Sequence, residues 1–261
     1  MPELPDVATF EQHIRTSALH RSIARCQILD TSFLRDISGA KLRRSLEGHE
    51  LQDTQRHGKL LLLRISGDAG HLELHFGMTG SVAVDPDEPP RHARLQLDFD
   101  DGGGLHIISQ RKLGHIGLIQ DPRRLIEQRG LGPDALSLDR EAFEQALGHG
   151  ARTLKSALMD QSQVAGIGNV YADEICYQSG VHPATPVDKL DDRARVRLYR
   201  QMRRVLELAV ERSADPQRLP DTWLLSHRQD GARDPRGGGE IRKQRIAGRA
   251  SYLAPHRQPG P

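Results

Sequence analysis

A change of hydrophobic period partway along the chain constrains its fold more than any other feature. Up to Asp121 the apolar residues come in short runs parted by glycine, proline and acidic clusters. Lys59 to Ile65, His71 to Phe76, Ser81 to Val84, Leu95 to Phe99 and Leu105 to Ile108 read as strands, with turns at Ser66 to Gly70 and Asp100 to Gly104. Short strands at this spacing predict a sandwich or barrel. From Asp139 the period becomes helical: Asp139 to Leu147, Thr153 to Asp160, Val170 to Ser179 and Asp191 to Ser213, the last carrying Val196, Tyr199, Met202, Val205, Leu206 and Ala209 along one face. The expectation is an α+β chain: residues 1–121 a β-sandwich flanked by helices, 122–137 a linker holding Pro122, Gly130, Gly132 and Pro133, and 138–227 a helical domain. Residues 228–261 then read as a small hairpin, entered through the glycine-rich Arg233 to Gly239, and a tail. A length of 261 residues suffices for two such cores.

The formal charge is only +2, but from Arg228 onward eight basic residues stand against three acidic ones. A basic tail on a near-neutral body points to a polyanion, or else to a solvated end. Cys26 and Cys176 lie far apart without a CxxC or CxxH partner, which argues against a disulfide framework and a thiolate zinc site. The N-terminus lacks a charged stretch followed by an apolar core, and no apolar run is long enough to span a bilayer. A cytoplasmic protein with no membrane partner is expected.

Two short stretches invite chemistry. In MPELPDV, Pro5 suits a first helical position, Asp6 favours the positive end of a helix dipole, and Val7, Phe10 and Ile14 follow at helical spacing. Pro2 and Glu3 are left unexplained. In GIGNVYADEI, Gly166 and Gly168 permit a tight turn and Asn169 is a good N-cap, so the segment reads as a helix start. The same helix N-terminus would equally offer N–H groups to a phosphate, with the Asn169 amide beside them.

The longer string LMDQSQVAGIGNVYADEICYQSGVHP resembles the helix-two-turn-helix motif of the formamidopyrimidine-DNA glycosylase and endonuclease VIII family of base-excision repair enzymes. PELPDV at the start, RHGKLLLL at 56–63 and HFGMTGS at 75–81 match the same family in the same order, and are closer to its formamidopyrimidine branch. The resemblance implies a glycosylase with strand-cutting lyase activity, acting as a monomer on damaged duplex DNA. It also explains the opening. Removal of Met1 would expose Pro2 as a secondary α-amine with a pKa near ~8, far more often neutral at pH 7 than a lysine at ~10.4. Attack on C1′ expels the base and leaves an imine with no N–H to lose. That cation is an electron sink for β- and then δ-elimination of the flanking phosphates.

The resemblance carries roles to further residues. Glu3 would move the protons; Glu174 of YADE would support the N-terminal segment or the nucleophile, and Asp6 stands where the family usually has Glu. Lys59, Lys155, Asn169 and Arg249 would grip phosphates around the lesion. Met78, with Arg111 and Leu113 of SQRKLG, would fill the gap left by the flipped nucleotide, Leu113 replacing an aromatic wedge. Outside the motif, Lys59 would read as an edge lysine, Met78 and Leu113 as core, and Glu3 and Glu174 as surface acids.

Two departures matter. Most bacterial relatives close with a four-cysteine zinc finger, whereas the matching positions here hold Asp234, Gly237, Leu253 and His256. One Asp and one His cannot make a four-coordinate structural site. A zincless hairpin is expected, without metal or cofactor, keeping Arg249 and held by packing of Ile241, Ile246 and Tyr252. DTWLLSHRQDGARD is also shorter than the family's lesion-covering loop, so 8-oxoguanine, ring-opened purines and oxidised pyrimidines all stay open as substrates. Trp223 reads as a core anchor before a base-stacking residue. An abasic-site lyase without base excision and a non-catalytic damage binder are the rival functions.

Overall fold

The computed structural model describes residues 1–260, which divide into two compact units. The first comprises Met1–Pro2 and Asp6–Gly130; the second comprises Glu3–Pro5 and the chain from Leu131 onward.

The first unit opens with the body of helix α1 (Leu4–Ser17), whose buried Val7 and Ile14 recur at helical spacing. Strand β1 (Ile23–Ile28), helix α2 (Gly39–Leu46) and strands β2 (Leu51–His57), β3 (Leu60–Ile65), β4 (His71–His75), β5 (Gly80–Val84), β6 (Ala93–Phe99), β7 (Gly104–Ser109) and β8 (His115–Ile119) follow. They form two antiparallel four-stranded sheets, ordered β1-β6-β7-β5 and β2-β3-β4-β8. Leu61, Leu63, Leu72 and Leu74 from one sheet and Leu95, Leu97, Leu105 and Ile107 from the other meet in one core with Val7, Ile14 and Leu42. The expected α+β sandwich flanked by helices is therefore observed. The sequence reading missed β1, β2 and β8, because runs such as LQDTQRH carry too few apolar residues for a clear alternation.

The expected linker is partly helical. Helix α3 (Pro122–Gln128) starts on Asp121, whose carboxylate accepts the N–H groups of Arg123 and Arg124, with proline at the first helical position. Pro122 is thus a helix starter rather than a breaker, and the boundary between the units falls after Gly130.

The second unit packs α4 (Arg140–Leu147), α5 (Leu154–Leu158), α6 (Asn169–Ser179) and α7 (Asp192–Glu211) around one core containing Phe143, Leu158, Ile175, Leu198, Met202 and Leu206. On α7 the buried stripe is Ala194, Leu198, Met202, Val205, Leu206 and Ala209; the predicted Val196 and Tyr199 lie half-buried at its margin. Trp223 is buried in this core, as a core anchor should be. Strands β9 (Arg242–Ile246) and β10 (Arg249–Leu253) form a separate antiparallel hairpin.

Candidate active site

Glu3 sits at the N-terminus of α6. Its carboxylate is buried, Oε2 accepting the N–H groups of Gly168 at 2.7 Å and Tyr171 at 3.2 Å and Oε1 that of Val170 at 2.8 Å. The N–H of Leu4 donates to the Gly166 carbonyl. Three hydrogen bonds at the positive end of a helix hold the side chain firmly in place. The GIGN turn is built for this contact. A β-carbon on Gly168 would lie 2.3 Å from Glu3 Cδ, so the carboxylate enters only where the side chain is missing. These N–H groups serve Glu3, which corrects the reading that they face a phosphate. Nor is Asn169 the N-cap: that position is Gly168, and Asn169 is the first helical residue. Its amide donates to the Ala250 carbonyl at 3.1 Å. Pro2, half-buried, directly precedes this anchor.

Lys155 does not reach solvent. It is fully buried, with Nζ 2.7 Å from Asp173 Oδ1, beside Ser251 Oγ and 3.3 Å from the Ala250 carbonyl. Asp173, equally buried, also accepts from Arg228 at 2.7 Å and from the Tyr252 N–H at 3.1 Å. Burial pulls the lysine's pKa down, and the aspartate opposes that shift. The phosphate grip expected of Lys155 is corrected accordingly: this ammonium and Asp173 fasten β10 to α5 and α6. In the sequence Arg228 stands out only as the start of the basic tail and Asp173 not at all, because a lone acid in the middle of a helix carries no periodic signal.

Glu174 is corrected as well. Instead of supporting the N-terminal segment, its buried carboxylate accepts from Gln178 Nε2 at 2.6 Å and from the Leu225 N–H at 2.8 Å. It thereby fixes the short turn Leu224–His227 behind Trp223. Burial raises its pKa to about 7.

In the first unit, Lys59 occupies the two-residue loop joining β2 to β3, where His57 pairs with Leu60. Asp6 lies half-buried in the first turn of α1. Met78, Arg111 and Leu113 share one rim. The loops that carry them are pressed together: a β-carbon on Gly77 would lie 2.4 Å from the Leu113 carbonyl carbon, and the Arg111 N–H donates to Thr79 Oγ1 at 3.1 Å. Met78 is 44% exposed and Leu113 is 52% exposed, so neither is core. Two solvated apolar side chains beside an exposed arginine suit insertion into a base stack.

Arg249 opens β10 directly after the Ala247–Gly248 turn, where its backbone pairs with Ile246 while its exposed side chain has no hydrogen-bond or ion-pair partner among the described residues. Ile241 and Ile246 are buried beneath the hairpin and Tyr252 is partly buried, but packing is only part of what holds it. The four positions matching the zinc ligands do not fit that metal. Asp234 is buried, bonded to the Tyr177 hydroxyl and 2.8 Å from His256 Nε2; Leu253 is fully buried and Gly237 has no side chain. No cluster of three or more metal-ligating side chains occurs among the described residues.

Comparisons with known proteins all point to one family. Residues 1–116 match the formamidopyrimidine-DNA glycosylase N-terminal domain and residues 131–220 the formamidopyrimidine-DNA glycosylase H2TH domain. The formamidopyrimidine-DNA glycosylase of Exiguobacterium sp. is 30% identical over 280 residues, covering 99% of both chains. That of Symbiobacterium thermophilum is 33% identical over 277 residues, covering 100% of this chain and 90% of the relative. Among solved structures, Lactococcus lactis Fpg in complex with abasic-site DNA superposes with a TM-score of 0.87 at 25% identity, covering 99% of this chain and 100% of the other. The wild-type Lactococcus enzyme bound to DNA containing N7-benzyl-Fapy-dG gives 0.87 at 26% identity with the same coverage.

Proposed function

Because the chain belongs to the formamidopyrimidine-DNA glycosylase family, we infer that it is a DNA glycosylase with abasic-site lyase activity, removing oxidised bases from duplex DNA in base excision repair. The observation that carries the assignment is the Glu3 anchor. A carboxylate fixed by three backbone N–H groups is joined by one peptide bond to a proline that becomes the chain terminus once Met1 is removed.

In the proposed reaction the Pro2 nitrogen attacks C1′ and the C1′–base bond breaks, the base leaving with a proton. Ring opening gives the iminium. Loss of a C2′ proton expels the 3′ phosphate, a second elimination expels the 5′ phosphate, and water releases the sugar fragment. Glu3 passes protons at the ring oxygen and C2′. Lys59, Arg249 and Asn169 bind phosphates flanking the lesion, while Met78, Arg111 and Leu113 occupy the space the nucleotide vacates. The reading needs no metal, a view supported by the side chains at the four hairpin positions, so chelators should leave activity unchanged. It also takes the protein to act as a cytoplasmic monomer; no helix among the described residues is long and apolar enough to cross a membrane.

Borohydride trapping of the Met1-processed protein on duplexes carrying an abasic site, 8-oxoguanine, a ring-opened purine or an oxidised pyrimidine tests this. A covalent adduct on a base-damaged duplex, lost in Pro2→Gly, is expected and names the lesion class. An adduct confined to the abasic duplex would reduce the activity to a lyase, and none at all would leave a binder.

A further inference from the structure

The loop 110–114 is held from three sides. Where it leaves β7, Arg94 Nε donates to the Ser109 carbonyl at 2.8 Å. Where it enters β8, the buried Glu73 binds His115 at 2.7 Å and pairs with Arg129. At its centre Lys112 adopts φ 52°, the left-handed region that lysine rarely occupies. Such a conformation persists where surrounding contacts hold it. The contact here is Asp30: Lys112 Nζ lies 2.6 Å from Asp30 Oδ2.

Asp30 is itself immobilised. Its Oδ1 accepts from the Ser32 N–H at 3.0 Å and from Ser32 Oγ at 2.6 Å, and its Oδ2 lies 3.4 Å from Arg94 Nη1. Lys112 and Ser32 hold the carboxyl down at about 2, so it is anionic throughout the working range. The side chain is only 14% exposed, unlike the solvated partner of an ordinary surface pair. The same Arg94 braces both Asp30 and Ser109, so strut and loop share one support. Lys112 thus reaches back to Asp30 with half of its side chain still exposed, while its neighbours Arg111 and Leu113 stand exposed beside Met78 without that tether.

We propose that Asp30 is a positioning residue for nucleotide extrusion: through Lys112 it holds the 110–114 loop in the backbone conformation that presents Arg111 and Leu113. The inference rests on the reading that these residues enter the duplex. Pre-setting the loop means that its ordering does not have to accompany insertion.

The test compares Asp30→Asn, Lys112→Met, Lys112→Gly and Lys112→Arg with Leu113→Ala in the full chain. It measures single-turnover base excision, cleavage at a pre-formed abasic site, melting temperature, and 2-aminopurine fluorescence beside the lesion. Asp30→Asn and Lys112→Met should slow excision about ten- to a hundredfold and suppress the fluorescence rise, with abasic cleavage changed less than about threefold. Lys112→Gly should melt no lower than wild type, since glycine relieves the positive φ, yet excise as slowly as Lys112→Met. Lys112→Arg, which keeps the ion pair, should restore most of the rate. Full excision in Asp30→Asn with slow excision in Leu113→Ala overturns the role of Asp30 alone. Full excision in both overturns it together with the wedge reading, and losses that merely follow melting temperature reduce Asp30 to a structural residue.

Discussion

Replacing Lys155 with methionine separates a buried anchor from a DNA contact. Methionine keeps most of the aliphatic volume but removes the ammonium that binds Asp173, Ser251 and the Ala250 carbonyl. Breaking a buried ion pair by deleting one partner costs about 3–5 kcal/mol. Because Asp173 keeps Arg228 and the Tyr252 N–H, the lower end applies, about 3 kcal/mol. At roughly 2–4 °C per kcal/mol for a protein of this size, the melting temperature should fall by about 6–12 °C. Asp173→Asn should cost more, since it deprives both the buried Lys155 and the partly buried Arg228 of their anion. Differential scanning calorimetry supplies the melting temperatures, and DNA titrations at several salt concentrations supply the contrast. Arg249→Ala should leave melting unchanged and lower the salt slope by about 0.9, one phosphate contact. The reasoning is refuted if Lys155→Met melts like wild type and loses a phosphate contact as Arg249→Ala does.

Other outcomes follow from the same geometry. Gly168→Ala places a β-carbon 2.3 Å from Glu3 Cδ, so it should abolish borohydride trapping while the far-ultraviolet circular dichroism keeps its native shape; normal trapping would contradict the Glu3 anchor. Glu174, ordinarily at 4.5 and raised to about 7 by burial, keeps its proton in the folded state where the unfolded chain has lost it. Stability should therefore fall as pH rises from about 4.5 to about 7, by about 3 kcal/mol from this group, and urea titrations of Glu174→Gln should show that slope removed. Cys26, buried and pushed up to about 12, and Cys176, buried and likewise raised, should resist a thiol reagent until the chain is unfolded; prompt labelling would place one of them at the surface.

What was legible from sequence alone is what local pattern and covalent order encode. The switch from short strands to helical periods divided the chain near its middle, and the order PELPDV, RHGKLLLL, HFGMTGS and GIGNVYADE pointed to one family. Covalent order also sets Pro2 beside Glu3. Which polar groups meet was decided only by the fold, because hydrogen bonds between distant residues leave no periodic trace. Glu3 reaches Gly168, Lys155 reaches Asp173 and Ser251, and Asp30 reaches Lys112 across gaps of 18 to 165 residues. A lysine in a DNA-binding motif reads as a phosphate contact until its burial is seen, since one ammonium serves either anion. Lys155 went inward because Asp173 and the hairpin backbone replaced its water. Met78 and Leu113 went outward because Gly77 lets their loops close against each other, leaving those side chains no interior to fill.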